Sequence, residues 1–265
     1  MAQNPLTIGV FDSGVGGLTV LRALQARLFG AHFLYLGDMA RLPYGTKSAQ
    51  AVTTYTLKAA AALVSKGAQS LVIACSTASS CAIPELEDLY PHIPIIDVIT
   101  PTVAHVSANG AKDILILATQ GTVSSHLYKN LITKVAPHIR VHETATPLLV
   151  GLAEEGWRDP YIVSQVLDHY LEGFKYLDTI DTVVLGCTHF PFHLDAIKLY
   201  FGSHVNIVDT AIPAAEKALS QWPCVMLEEG STHYYVTDSP ERFRSTAELF
   251  LSHTIPSDQV TLIDL

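Results

Sequence analysis

The sequence has no run of about 18 apolar residues, the length a membrane-crossing helix needs, and its richest stretch, Ala59–Val64, is far shorter. No membrane partner is expected. Positive charge is also scarce. Sixteen Lys and Arg stand against 25 Asp and Glu, for a formal net charge of −9. That balance argues against a nucleic-acid backbone as the main partner, although one local pocket could still hold a small anion. The opening MAQNPLTIGV lacks a basic n-region and a long apolar h-region, so a cytoplasmic setting is expected. There are only four cysteines, Cys75, Cys81, Cys187 and Cys224, with no CxxC pair among them. Reduced thiols are expected, and no structural zinc or other metal site. Charged residues make up 15% and hydrophobic residues 49%, which suits a folded core and not a disordered chain.

Short apolar runs alternate with longer amphipathic ones. Strands are predicted at 6–11, 32–36, 70–74, 95–98, 113–118, 140–143, 182–186, 205–208 and 234–237. Helices are predicted at 17–29, 48–66, 77–89, 101–109, 123–135, 161–174, 191–200, 211–220 and 240–251. This alternation predicts an α/β chain with mainly parallel sheets. A weak echo links IGVFDSG (Ile8–Gly14) to ILILATQG (Ile114–Gly121), each an apolar strand followed by a small polar turn. After each, a second apolar strand ends in a cysteine: LVIACST at Leu71–Thr77 and VVLGCTH at Val183–His189. The carboxyl ends of strands are where ligands bind in open α/β sheets. Two halves of like plan that face each other would therefore aim Cys75 and Cys187 into one cleft. Chance repetition of strand–helix patterns is the plainer account.

For a buried cysteine the plain reading is an inert small hydrophobe. It applies to Cys81, inside a predicted helix, and to Cys224, beside Trp222-Pro223. Cys75 and Cys187 end strands, and Thr77 and Thr188 look suited to cap the next helix in each case. A helix amino end beside a thiol lowers its pKa from about 8.5 into the range of about 3.5–7.5. DSGVGGLTV (Asp12–Val20) resembles a phosphate loop but has Thr19 where GxGxxG needs glycine, and no P-loop lysine comes after it. A tight turn requiring glycine dihedrals explains it, with Asp12 and Ser13 at a strand end. In GDMARLPYGTKS (Gly37–Ser48), turn chemistry accounts for Pro43, Tyr44 and Gly45, and backbone N–H groups near Gly45 could equally bind a carboxylate. His189 adjoins Cys187. Glu154 and Glu155, in LAEEGW, read as a solvated helix end.

Taken in order, DSGVGGLTV, LPYGTKS, ACSTAS, GCTHFP and the tail YYVTDSPERF resemble the motif set of the cofactor-independent glutamate racemases, over about Leu6 to Leu251. The resemblance implies two similar three-layer α/β domains, residues 1–97 plus 207–265 and residues 98–206, with the active site in the cleft between them. It implies racemisation of glutamate at Cα without a cofactor, a supply of D-glutamate for peptidoglycan, and a homodimer. Cys75 and Cys187 would be the catalytic thiols, assisted by Asp12, His189 and Glu154. Asp12, Ser13, Tyr44, Gly45, Ser76, Thr77, Thr188 and His189 would contact substrate.

Two positions depart from the family. Ser76 stands where the family has Asn, and one short hydroxyl replaces a carboxamide. Thr146 stands where Cys is frequent. Three other readings stay open: an aspartate-type racemase, a non-catalytic amino-acid-binding protein, and a cysteine hydrolase using Cys187 with His189.

Overall fold

The computed structural model describes residues 6–222 and 230–265. Cys224 lies outside the described residues. The strands are β1 (Thr7–Asp12), β2 (His32–Gly37), β3 (Ser70–Ile73), β4 (Ile95–Asp97), β5 (Asp113–Ala118), β6 (Arg140–Ala145), β7 (Thr182–Gly186), β8 (Asn206–Asp209), β9 (Thr232–Val236) and β10 (Val260–Leu262). The helices are α1 (Leu18–Gln25), α2 (Ala49–Ser65), α3 (Ser76–Ser79), α4 (Ile83–Leu89), α5 (Ile99–Ala108) and α6 (Gln120–Ser125). They continue as α7 (Leu127–Val135), α8 (Leu148–Glu154), α9 (Pro160–Leu171), α10 (Leu194–Phe201), α11 (Ala211–Gln221) and α12 (Pro240–Leu251).

Two sheets form, and every strand pairing in them is parallel. The first has the order β10-β9-β2-β1-β3-β4 and the second β6-β5-β7-β8. The central strands are apolar throughout because both faces are covered. In β5, Leu115 and Leu117 pack into one core with α9 and α10, while Ile114 and Ile116 pack into another with α5 and α7. In the first sheet, Ile8 and Val10 of β1 join α1, α11 and α12, and Phe11 with Leu71 and Ile73 of β3 joins α2. Each sheet is thus the middle of three layers, as expected. β8 runs to Asp209, past the expected boundary at residue 206.

Order within the sheets positions the site. From β1 the chain steps to β2 on one side and later to β3 on the other, and from β5 it steps likewise to β6 and β7. Each sheet therefore has a switch point, between β1 and β3 and between β5 and β7, where neighbouring loops part and leave a crevice. Among the described residues, no helix is long and apolar enough to cross a membrane.

Three local expectations are corrected. The single helix expected over 77–89 is α3 and α4, and the second restarts with Pro84 in its first turn, where the missing N–H does no harm. The helix expected over 123–135 is α6 and α7, broken at left-handed His126, φ 53°. The glycines after β1 are not needed for their dihedrals, since Gly14, Gly16 and Gly17 do not have positive φ. They are needed for room: a Cβ on Gly16 would collide with Thr188 Oγ1 and His189 Nδ1 from the other sheet's loops.

Candidate active site

Cys75 follows β3 and Cys187 follows β7, each at the switch point of its sheet. They are 5% and 6% exposed, and both line one small cavity of about 30 Å³. Ser13, Tyr44, Gly45, Ser76, Thr77, Thr188 and His189 share its wall. The structure therefore brings together the residues singled out in the sequence. Asp12 and Glu154 stand one step behind. Fully buried Asp12 accepts from the Gly14 N–H at 2.9 Å and from the Thr188 hydroxyl at 3.3 Å. Glu154, far from a solvated helix end, sits at the close of α8 and accepts from His189 Nε2 at 3.0 Å. Sequence reasoning missed Leu42, Thr119 and Val150, which together with Pro43 complete the lining. Thr119 follows β5 in the echo segment ILILATQG, at the place corresponding to the turn after β1, and that echo could have marked it.

The two thiols differ electrostatically. Burial raises Cys75, the Asp12 charge raises it further, and the Ala78 N–H and Ser13 only partly offset this, so it rises to about 12. The Cys75 thiol donates to Ser13 Oγ at 3.5 Å. A lowered thiol pKa was expected from the helix start, but α3 has only four residues, and desolvation wins. Cys187 instead lies 3.8 Å from His189 Nδ1. Burial works against charge on His189. The hydrogen bonds to Cys187 and Glu154 and the negative charges of Cys187 and Asp12 outweigh it, and raise His189 to about 10. At neutral pH the ring is an imidazolium, with Nδ1–H toward sulfur and Nε2–H toward Glu154. Burial likewise raises Asp12, against the His189 charge and the Gly17, Gly14 and Thr188 hydrogen bonds.

The expected threonine caps do not form. Cys75 is the N-cap of α3. Thr77 Oγ1 lies 2.9 Å from Thr119 Oγ1 and 3.3 Å from Thr122 Oγ1, a hydroxyl cluster joining loops of the two sheets. Gly45 presses on the same point, since a Cβ there would meet Thr119 Cβ at 2.5 Å. These contacts close the cavity over the thiols. A neighbouring cavity of about 650 Å³ shares Leu42, Pro43, Gly45, Thr119 and Val150 and has Glu154 in its wall. The small cavity has room for about one water molecule, and the larger space lies directly beside it. Ser76 Oγ, on the cavity wall, is buried with no hydrogen-bond partner among the described residues. Among the described residues, no cluster of three or more His, Cys, Asp or Glu is arranged to hold a metal ion.

Residues 19–218 match the model of a family described as Asp/Glu/Hydantoin racemase. The chain is 37% identical to a glutamate racemase of Koribacter versatilis, over 100% of this chain and 99% of that protein. It is 39% identical to a glutamate racemase of Geobacter metallireducens, over 92% of each. A crystal structure of glutamate racemase from Francisella tularensis in complex with D-glutamate superposes with a TM-score of 0.90, at 32% identity, covering 99% of this chain and 98% of that one.

Proposed function

This chain belongs to the Asp/Glu/Hydantoin racemase family and is an amino-acid racemase, and from that premise we propose that it interconverts L- and D-glutamate by proton transfer between two thiols. The observation that carries the mechanism is the placement of Cys75 and Cys187, from different sheets, on one cavity wall.

Inversion at Cα needs a proton taken from one face and another delivered to the opposite face, and a single base would tend to return the proton to the side it left. With imidazolium His189 facing Cys187 and Cys75 holding its proton, one sulfur accepts the Cα proton while the other donates. Turnover leaves the pair with reversed protonation, the state the other enantiomer needs. Asp12, behind both Thr188 and the Cys75 side of the cavity, tunes the pair and orients the loop. In this reading the backbone N–H groups of Tyr44 and Gly45, which line the cavity, take one carboxylate of the substrate. Ser13, Ser76, Thr77 and Thr188 hydroxyls bind the other carboxylate and the ammonium group, most strongly as charge builds on the Cα-carboxylate unit. Closure of the hydroxyl cluster excludes water while that happens.

We extend the reading to the supply of D-glutamate for peptidoglycan in the cytoplasm, by a homodimer built of the two units outlined from the sequence, the second ending at β8. Relatives that carry the glutamate racemase name over full length support glutamate over aspartate as substrate.

The test is exchange of the α-hydrogen in D2O, followed by NMR, with circular dichroism reporting inversion. Wild type is expected to exchange and invert glutamate. Cys75→Ser and Cys187→Ser are each expected to lose at least about a hundredfold, since general acid–base groups contribute about 10²–10⁴. Exchange of aspartate but not glutamate would overturn the substrate. Undiminished exchange and inversion in Cys75→Ser would overturn the two-thiol mechanism.

A further inference from the structure

Two sequence segments are only partly used by this site: the loop Gly37–Ser48, of which the cavity takes Leu42 to Gly45, and the tail YYVTDSPERF. The structure joins them around a buried carboxylate. β2 and β9 are paired, with Gly37 opposite Val236, and this sets Asp38 beside Thr237. Asp38 is fully buried and accepts three hydrogen bonds. The Tyr44 phenol donates to Oδ2 at 2.6 Å, the Thr237 hydroxyl to Oδ1 at 2.7 Å, and Arg41 Nη1 to Oδ1 at 2.9 Å. The other arm of the Arg41 fork, Nη2, donates to the main-chain oxygen of Leu265 at 2.8 Å. The guanidinium lies 5.1 Å from the Tyr55 ring centre, and Tyr55 packs on Tyr44 with ring centres 5.8 Å apart. Thr237 Oγ1 also accepts from the Ala40 N–H at 3.0 Å.

A carboxylate with no exposure must have its lone pairs filled. An ionised Asp38 only accepts, so the Tyr44 proton is committed to it and the phenol is fixed in direction. The neighbouring Gly45 backbone is fixed along with it. Arg41 reaches two acceptors at once, which a planar fork does and a single ammonium does not. Arg41 itself does not line the cavity, so it acts through Asp38 and Tyr44.

We propose that Arg41 is a positioning residue for substrate binding, holding the Tyr44–Gly45 wall of the cavity by bridging Asp38 and the main-chain oxygen of Leu265, with Thr237 as the second anchor of the same carboxylate. The proposal rests on the glutamate racemase reading and assigns the tail segment a task within it. Loss of Arg41 leaves both thiols, His189 and Asp12 in place. The defect therefore falls on binding rather than on the proton transfer.

The test is steady-state racemisation of L- and D-glutamate by circular dichroism, on the full chain. Arg41→Met is expected to raise KM about tenfold, the low end for one lost hydrogen bond to a charged group, with kcat within about threefold of wild type. Thr237→Val, which removes a neutral donor to the same carboxylate, is expected to raise KM in the same direction by about threefold. Arg41→Lys keeps charge beside Asp38 but cannot span both acceptors, so its KM stays raised. In a Tyr44→Phe background the Arg41→Met effect should shrink to less than about twofold, because the two act in one chain. If Arg41→Met does not fold, Thr237→Val alone and with Tyr44→Phe makes the same comparison. An unchanged KM in the Arg41 and Thr237 variants overturns the proposal, as does a KM effect that multiplies undiminished with that of Tyr44→Phe. Failure of the parent reading is distinct: a wild type that does not racemise glutamate sinks it, and this proposal with it, before any variant is compared.

Discussion

Replacing His189 with Asn removes the imidazolium that faces Cys187 while keeping a side chain of similar reach. Two unit charges 3.8 Å apart attract by about 4 kcal/mol at an effective dielectric of about 20. The Asn amide keeps some of this as a dipole, so about 2–4 kcal/mol of support for negative sulfur is lost, or about 30- to 900-fold in kcat/KM. The two enantiomers have equal free energy, so kcat/KM must fall by the same factor in both directions. Any asymmetry appears only in the separate kcat and KM values. Circular dichroism from each enantiomer measures both. The pH profile adds a second readout. His189 is raised to about 10, so wild-type kcat/KM should fall as pH rises through about 10, and His189→Asn should lack that limb. The stability linkage has the same sign. A histidine whose folded pKa lies above its ordinary value of 6.5 contributes stability that is complete below that value and is lost as pH rises through about 10. The wild-type Tm should decline across that window more steeply than that of His189→Asn. A loss in kcat/KM under about threefold, or an unchanged alkaline limb, would refute the claim that imidazolium sustains Cys187.

The packing sets three further outcomes. Ser76 Oγ is buried and makes no hydrogen bond among the described residues, so Ser76→Ala should not lower Tm. If the hydroxyl meets ionised substrate, its loss raises KM about ten- to a hundredfold, for about 1.5–3 kcal/mol; an unchanged KM would remove Ser76 from the binding set. Gly45→Ala drives a Cβ to 2.5 Å from Thr119 Cβ. It should hold the cleft ajar and lower kcat/KM about tenfold or more, with recovery when Thr119→Gly is added; no recovery would place the clash elsewhere. Asp113, 1% exposed, holds Arg140, His142 and Thr179 at the amino end of β5. Burial pushes its carboxyl up, but the Thr179 and Arg140 hydrogen bonds and the Arg140 and His142 charges prevail and lower it. Its contribution is therefore present above the ordinary value of 3.8 and lost as pH falls through the lower folded value. Asp113→Asn should lower Tm at pH 7 and flatten the acid limb seen in wild-type thermal melts.

The central strands were legible because burial on both faces leaves an unbroken apolar run, and β1, β3, β5 and β7 have that form. The start of the helix predicted over 48–66 holds, because the Ser48 side chain caps α2 by accepting from the Ala51 N–H at 3.3 Å. The edge strand β10 was not: VTL is three residues long, and its pairing with β9 is set by chain segments far apart. The break at His126 carries no composition signal, because its left-handed φ is adopted by a residue other than glycine. Glu154 looked solvated for the same underlying reason. Its partner His189 is distant in sequence, and only the fold brings their atoms to 3.0 Å.

The thiols show where sequence symmetry stops. ACST and GCTH occupy like positions in like sheets, and a reading by motif gives both sulfurs the same helix-start chemistry. The fold gives them opposite neighbours: Asp12 bears on Cys75, whereas His189 bears on Cys187. Two identical sulfurs have four protonation states, of which only the two with a single proton are productive. Burial and the Asp12 charge keep the proton on Cys75 in the free protein, while the His189 ring faces the other sulfur. That state serves one enantiomer at once, while the other must await a swapped pair. Removing the bias, by Asp12→Asn together with His189→Asn, should therefore bring the kcat values of the two directions closer together even as both fall. A ratio of kcat values that stays fixed when both neighbours are neutralised would show that the resting state is set elsewhere.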